Sequence, residues 1–258
     1  MNQNTTPEHE EDQAQPLIVH LTELRSRLLH SLLAILVTFL CLFPFTNQIY
    51  AFVSEPLRRL LPEGTSMIAT DIASPFLTPF KLTLVAAIVL AVPFLLYQAW
   101  AFIAPGMYKS EKRIAIPLLI SSVILFYLGL AFAYYMVFPL VFGFFSSIAP
   151  AGVNYTPDIA RFLDTALKLF FAFGVAFEIP IAIVLMIWAG VTTPQALSAK
   201  RPYIVIVCFV VGMLLTPPDV ISQTLLAVPM WLLFESGILF GRMLKPQKEK
   251  QSEEEGSR

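Results

Sequence analysis

The chain has 258 residues and a formal net charge of -1; 57% of its residues are hydrophobic and only 14% are charged. A soluble domain carries about a quarter charged residues. Here the apolar residues come in blocks of roughly 16 to 30, long enough to cross a hydrocarbon core about 30 Å thick. The composition excludes an ordinary soluble domain and predicts a multispan membrane protein. The small net charge says little about partners, because the charges are sorted along the chain.

Residues 1–16 hold Glu8, Glu10, Glu11 and Asp12 but no Lys or Arg, so they do not read as a secretory signal, which starts with a basic region. This acidic start and the charged tail over 243–258 are expected to be solvated, disordered ends around a membrane domain of residues 17–242. In PLIVHLTELRSRLL, Leu17, Leu21, Leu24 and Leu28 recur at helical spacing, which predicts an amphipathic helix at the interface before the first span. Six spans follow: Leu28–Phe45, Leu82–Ile103, Ile114–Phe145, Leu169–Gly190, Tyr203–Leu215 and Ile221–Phe240. The third is long enough to tilt or project, whereas the fifth reaches only roughly 20 Å at about 1.5 Å per residue.

Lys and Arg fall unevenly about these spans. One side would hold Arg25, Arg27, Lys109, Lys112, Arg113, Lys200, Arg201, Arg242, Lys245, Lys248, Lys250 and Arg258; the other would hold Arg58, Arg59, Lys81, Arg161 and Lys168. Twelve against five places both termini in the cytoplasm. On the outer side, the connection Thr46–Thr78 is rich in Pro, Ser and Thr, which favours a turn-rich cap over one long helix. TPPD, Thr216 to Asp219, is the only link between spans five and six and forces an antiparallel hairpin, with Asp219 holding the turn. Pro44, Pro93, Pro117, Pro139, Pro180 and Pro229 each remove a backbone bond and favour bent helices around a concave space. The expected fold is an all-α integral membrane protein, six helices in a curved, concave bundle, with short fifth and sixth spans.

The charged residues near or within the membrane are the candidates for function. Glu111, in YKSEKR, has two readings. It sits in the first turn of the third span, where the helix dipole favours an anion behind a Ser110 cap, or it offers a cytoplasmic docking point to an incoming cation. Glu23 has the same choice, since Arg27 four residues later makes a surface ion pair. His20 and Glu23 have no third ligand at a useful spacing, and neither a metal nor a cofactor is expected. Cys41 and Cys208 both lie in apolar runs and read as two small buried hydrophobes rather than a disulfide or a metal site. Glu178, mid-span in FAFGVAFEIPIAIV, carries a penalty of roughly 2.5 to 3.5 kcal/mol on insertion scales, so it faces a wet cavity, finds a partner or is protonated. Glu235 reaches the interface or pairs with Arg242.

The strings HLTELRSRL, SEPL, MIATDIASPFLTPFKL, YQAWAFIAPGMYKSEKR, FGVAFEIP, KRPY and GMLLTPPDVISQTLLAVPMWLLFE closely resemble the TatC family, over about residues 16–242. The resemblance implies a non-enzymatic receptor subunit of the twin-arginine translocase in a bacterial inner membrane. Such a subunit works with single-span TatA-type and TatB-type partners, associates with itself, and exports folded proteins on the proton-motive force. It implies that Glu23 and Glu111 bind the arginine pair of signal peptides, and that Arg25, Pro56, Phe76, Phe102, Glu178 and Asp219 match further positions that matter. Met213 and Leu214 would meet the TatB-type partner. Two rivals remain on the residues alone: a proton-coupled small-solute transporter using Glu178, and a structural scaffold for membrane assembly.

Overall fold

The computed structural model describes residues 8–59, 66–103, 112–148, 156–216 and 220–243, with side chains from Leu21 onward except for 103 and 112–115. The elements in order are α1 (Glu8–Leu42), a 3-10 turn (Phe43–Phe45), α2 (Thr46–Arg58), α3 (Ser74–Ile103), α4 (Lys112–Phe132), a π-helical turn (Ala133–Val137) and α5 (Phe138–Ser147). Then come α6 (Ile159–Ala176), α7 (Ile179–Trp188), α8 (Pro194–Ala199), α9 (Arg201–Leu215) and α10 (Val220–Met243). Five helical runs are long and apolar enough to cross a membrane: Leu21–Arg58, Ser74–Phe102, Ile116–Ser147, Ile159–Trp188 and Val220–Met243. The sixth apolar run is α9, whose 15 residues span only about 22 Å at about 1.5 Å each.

Three of the prolines set the places where helix type changes. A proline cannot donate to the carbonyl four residues back. For Pro139 that carbonyl is Tyr135, and there the ladder widens into the π-helical turn. For Pro180 it is Ala176, where α6 ends; Phe177 and Glu178 form a non-helical turn before α7 starts. Pro44 lies inside the 3-10 turn that separates α1 from α2. Helix assignment runs unbroken past Pro93, Pro117 and Pro229.

The expected turn-rich connection after the first span is a helix through residue 58, and it contains Pro56. The bond that Pro56 cannot make is replaced across the fold. The Tyr134 hydroxyl donates to the Phe52 carbonyl at 2.7 Å, and the rings of Phe52 and Tyr134 stack 4.9 Å apart at 7°. Tyr134 belongs to the π-helical turn, so one proline positions the residue that compensates for another.

Two compact units divide the chain, residues 1–44 with 83–119, and residues 45–82 with 120–258. In the first, Ala87, Ala91 and Val92 are buried, while α1 leaves its apolar side chains open: Leu28 is 68% exposed and Leu32 61%. A bilayer is the medium for such a face, because lipid tails are as apolar as leucine. The second unit has a continuous core that includes Phe138, Phe142, Phe162, Leu163, Leu169 and Phe173. Aromatic contacts run through it from Phe142–Phe162 to Phe138–Phe170 and Phe132–Phe173.

Within that unit, α10 packs on α7 and α9. Gly237 and Gly241 let α10 approach α7: a Cβ on Gly237 would lie 3.0 Å from the Pro180 Cα and 2.8 Å from Ile183 Cδ1. Against α9 the pairing is antiparallel, as the sequence predicts. Gln223 donates to the Phe209 carbonyl at 3.0 Å near one end, and Arg201 meets Glu235 at the other. Thr216 closes α9 by donating its backbone N–H to the Gly212 carbonyl at 3.1 Å and its hydroxyl to the same oxygen at 3.0 Å.

A short bridge joins the segments ahead of α3 and α6. Opposite Asp158, Ile68 bonds to its two chain neighbours: the Ile68 N–H donates to the Pro157 carbonyl at 3.1 Å and the Ile159 N–H to the Ile68 carbonyl at 2.9 Å. The Asp158 carboxylate accepts from the N–H groups of Ala160 and Arg161, which caps α6, and from the N–H and hydroxyl of Thr70. Lys81 and Asp164 pair nearby.

Candidate functional site

In the first unit the charged cluster is built on one turn of α1. Glu23 and Arg27 stand four apart and so share a helix face. Arg27 Nη2 lies 2.6 Å and Nε 3.0 Å from Glu23 Oε1, so the ion pair expected from the spacing is formed. Gln98 of α3 adds a third contact, its Oε1 accepting from Arg27 Nη1 at 3.1 Å. Both charged side chains keep contact with solvent, 24% exposed for Arg27 and 31% for Glu23. No described residue bonds Glu23 Oε2, which leaves one carboxylate oxygen open. Arg25 is exposed on the same helix, and Phe102 is half-buried near the end of α3. Glu111 and Asp219, both singled out in the sequence, lie outside the described residues.

In the second unit Glu178 occupies the turn that Pro180 opens between α6 and α7. The Ser122 hydroxyl of α4 donates to its Oε2, whereas its Oε1 is shielded from solvent and has no hydrogen-bond partner. A carboxyl placed at a helix break, with one oxygen bonded and one open, is suited to receive a further donor. Pro56 is half-buried inside α2, and Phe76 is 69% exposed on the first turn of α3, stacking on Phe80 with centroids 6.2 Å apart. Met213 and Leu214 are exposed by 47% and 71% near the end of α9, and so present an apolar surface outward.

Glu235 does not pair with Arg242. Arg201 takes it through two parallel bonds of 2.7 Å each, while Arg242 donates to the Ser198 hydroxyl at 3.1 Å. Arg201 opens α9 and Glu235 lies two turns from the end of α10, so the hairpin itself brings them together. Glu235 is thus a hairpin clamp. Among the described residues, no three His, Cys, Asp or Glu side chains gather as a metal ion would require.

Sequence reasoning missed Gln98, Ser122 and Tyr134 as partners. Gln98 and Ser122 are polar residues inside apolar runs, and that signal was available; their contacts at separations of 71 and 56 residues were not.

Comparison with known proteins agrees with this architecture. The family model described as Sec-independent protein translocase protein (TatC) matches residues 19–229. A protein of that name from Azotobacter chroococcum mcd 1 is 59% identical over 244 residues, covering 95% of this chain and 96% of its own. The Escherichia coli (strain K12) protein of that name is 58% identical over 231 residues, covering 90% of each chain. Two crystal structures described as the twin arginine translocase receptor TatC superpose with TM-scores of 0.77 and 0.78 at 37% and 38% identity. They cover 87% and 86% of this chain and 98% and 99% of theirs. A family match across most of the chain, carried by the same helical architecture, settles the kinship: the chain belongs to the TatC family of Sec-independent protein translocase proteins.

Proposed function

We propose that this chain is the receptor subunit that binds twin-arginine signal peptides at a cytoplasmic carboxylate site formed by Glu23 and Glu111. The observation that carries the reading is Glu23, a partly exposed carboxylate beside the membrane-entering part of α1 with Oε2 open to a new donor. An arginine engages a carboxylate through two parallel hydrogen bonds, whereas lysine offers a point charge. Two carboxylates, each taking one guanidinium, account for a demand for arginine rather than for positive charge alone. Exposed pairs are worth only about 0 to 1 kcal/mol each, so the apolar part of the signal peptide supplies the rest by lying against the helices.

Around this site the reading places both termini in the cytoplasm, in line with the Lys and Arg asymmetry, in a bacterial inner membrane. TatA-type and TatB-type single-span proteins are the partners, and the exposed Met213 and Leu214 support a partner contact on α9. Folded cargo is exported on the proton-motive force. Glu178 is a polar point within the membrane, where it hydrates or thins the bilayer or pairs with a polar residue of a partner; the short α9 favours local thinning in the same way.

The test is binding of a twin-arginine signal peptide to the purified protein, comparing wild type with Glu23→Ala, Glu111→Ala and the double variant, alongside a peptide with Lys-Lys in place of Arg-Arg. Each variant is expected to lose affinity, and the Lys-Lys peptide to lose what the variants lose. Equal binding by all four folded proteins would place recognition elsewhere.

A further inference from the structure

Glu23 holds a guanidinium before any signal peptide arrives. Arg27 contacts its Oε1 twice, at 2.6 and 3.0 Å, and reaches Gln98 Oε1 at 3.1 Å with its remaining terminal nitrogen. The Gln98 contact is not needed for the ion pair, which the four-residue spacing supports on one helix. It gives the same guanidinium a second, neutral acceptor on a different helix.

Resting on the docking role of Glu23, we propose that Arg27 is an internal competitor of the signal peptide, occupying Glu23 at rest and withdrawing onto Gln98 when a peptide arginine docks. The fork geometry makes displacement necessary. An incoming guanidinium needs both carboxylate oxygens for two parallel bonds, and Oε1 is taken. A lysine ammonium needs only one acceptor and can use the open Oε2 with Arg27 still in place. Arg27 therefore weakens arginine docking more than lysine docking. It keeps the complex reversible, as a receptor that must hand on its cargo requires. When Arg27 withdraws, the Gln98 carbonyl keeps one of its N–H groups bonded, which lowers the cost of exchange.

The experiment measures affinity for the Arg-Arg signal peptide and its Lys-Lys counterpart with the full chain in lipid nanodiscs, using wild type, Arg27→Lys, Glu23→Gln and the double variant. Arg27→Lys keeps the charge, so long-range repulsion of the peptide is unchanged, but it cannot hold Oε1 with two donors. The expected result is Arg-Arg affinity about three- to fivefold above wild type, the reach of one exposed ion pair. Lys-Lys affinity should stay within about twofold, and Arg27→Lys should have no effect in the Glu23→Gln background. Thermal melting of each variant checks that the fold is retained. If Arg27→Lys binds Arg-Arg no better than wild type, while Glu23→Gln loses binding, the competitor is overturned and Arg27 only orients Glu23. If Glu23→Gln binds as wild type, the docking site itself is wrong and the competitor falls with it.

Discussion

Pro56 and Tyr134 make a pair whose energetics can be measured directly. Pro56 denies the Phe52 carbonyl its helical donor, and the Tyr134 hydroxyl supplies one at 2.7 Å from the π-helical turn 82 residues away. Tyr134→Phe keeps the stacked ring and removes only that hydroxyl. The Phe52 carbonyl then stands without the replacement donor on an apolar helix, a loss of about 1 to 3 kcal/mol. In a chain of this length that lowers the melting temperature by about 2 to 4 °C per kcal/mol. Pro56→Ala restores a backbone N–H at position 56, which can bond Phe52 in the ordinary helical way and makes the hydroxyl redundant. Melting of the four proteins of this double-mutant cycle, in one detergent, gives the coupling. Tyr134→Phe should cost about 1 kcal/mol or more beside Pro56 and close to nothing beside Ala at that position. An equal cost in both backgrounds would mean that the hydroxyl does not stand in for the missing N–H, and the account of Pro56 would be wrong.

Three further outcomes follow from contacts in the second unit. Four hydrogen bonds hold the Asp158 carboxylate, with the Arg161 N–H the largest influence and the Thr70 hydroxyl next, and they pull its pKa from 3.8 to about 2. A depressed carboxylate contributes stability that is complete above the unfolded value and is lost as pH falls toward and through about 2. Wild type should therefore lose more stability than Asp158→Asn between pH 5 and pH 2.5 in acid melts. Ser122→Ala removes the hydrogen bond that a described residue makes to the Glu178 carboxylate and should destabilise by about 1 to 3 kcal/mol, whereas Ser122→Ala with Glu178→Leu should melt near wild type and fail in an export assay, because replacing both polar partners is nearly neutral for stability. Gly237→Ala gains about 1 kcal/mol of helix propensity but drives a methyl at Pro180 and Ile183, and overpacking of about 1 to 3 kcal/mol should lower its melting temperature; Gly143→Ala, with open space around it, should raise it.

The apolar runs were legible because hydrophobicity over a window of about 20 residues is a one-dimensional signal, and all six expected spans fall on helices of the structure. The Glu23–Arg27 pair was legible for the same reason, since four residues on a helix fix the neighbour. What failed depended on the third dimension. The connection Thr46–Thr78 read as turn-rich because its prolines, serines and threonines argue locally against a helix; its first part, Thr46–Arg58, is one, and the tyrosine that overrides the local argument is far away in sequence. For Glu235 the sequence offered either the interface or Arg242, on the same helix. The antiparallel hairpin offered Arg201 instead, with a fork that matches both carboxylate oxygens. In the candidate site, Glu23 was found from its sequence neighbours, while the contact of Gln98, which completes the cluster, spans 71 residues and left no mark in the local sequence.

The bridge between Ile68 and Asp158 also has a meaning in time. Its two halves meet although the second and third apolar runs lie between them in the chain. A chain threaded into the bilayer from its N-terminus exposes Thr70 long before Asp158 has been synthesised. The knot of backbone and carboxylate bonds can close only after both of those crossings are complete. Closure of the bridge thus records that the intervening helices have crossed the right number of times. A chain with one crossing missed would leave its two halves on opposite faces of the membrane, unable to meet.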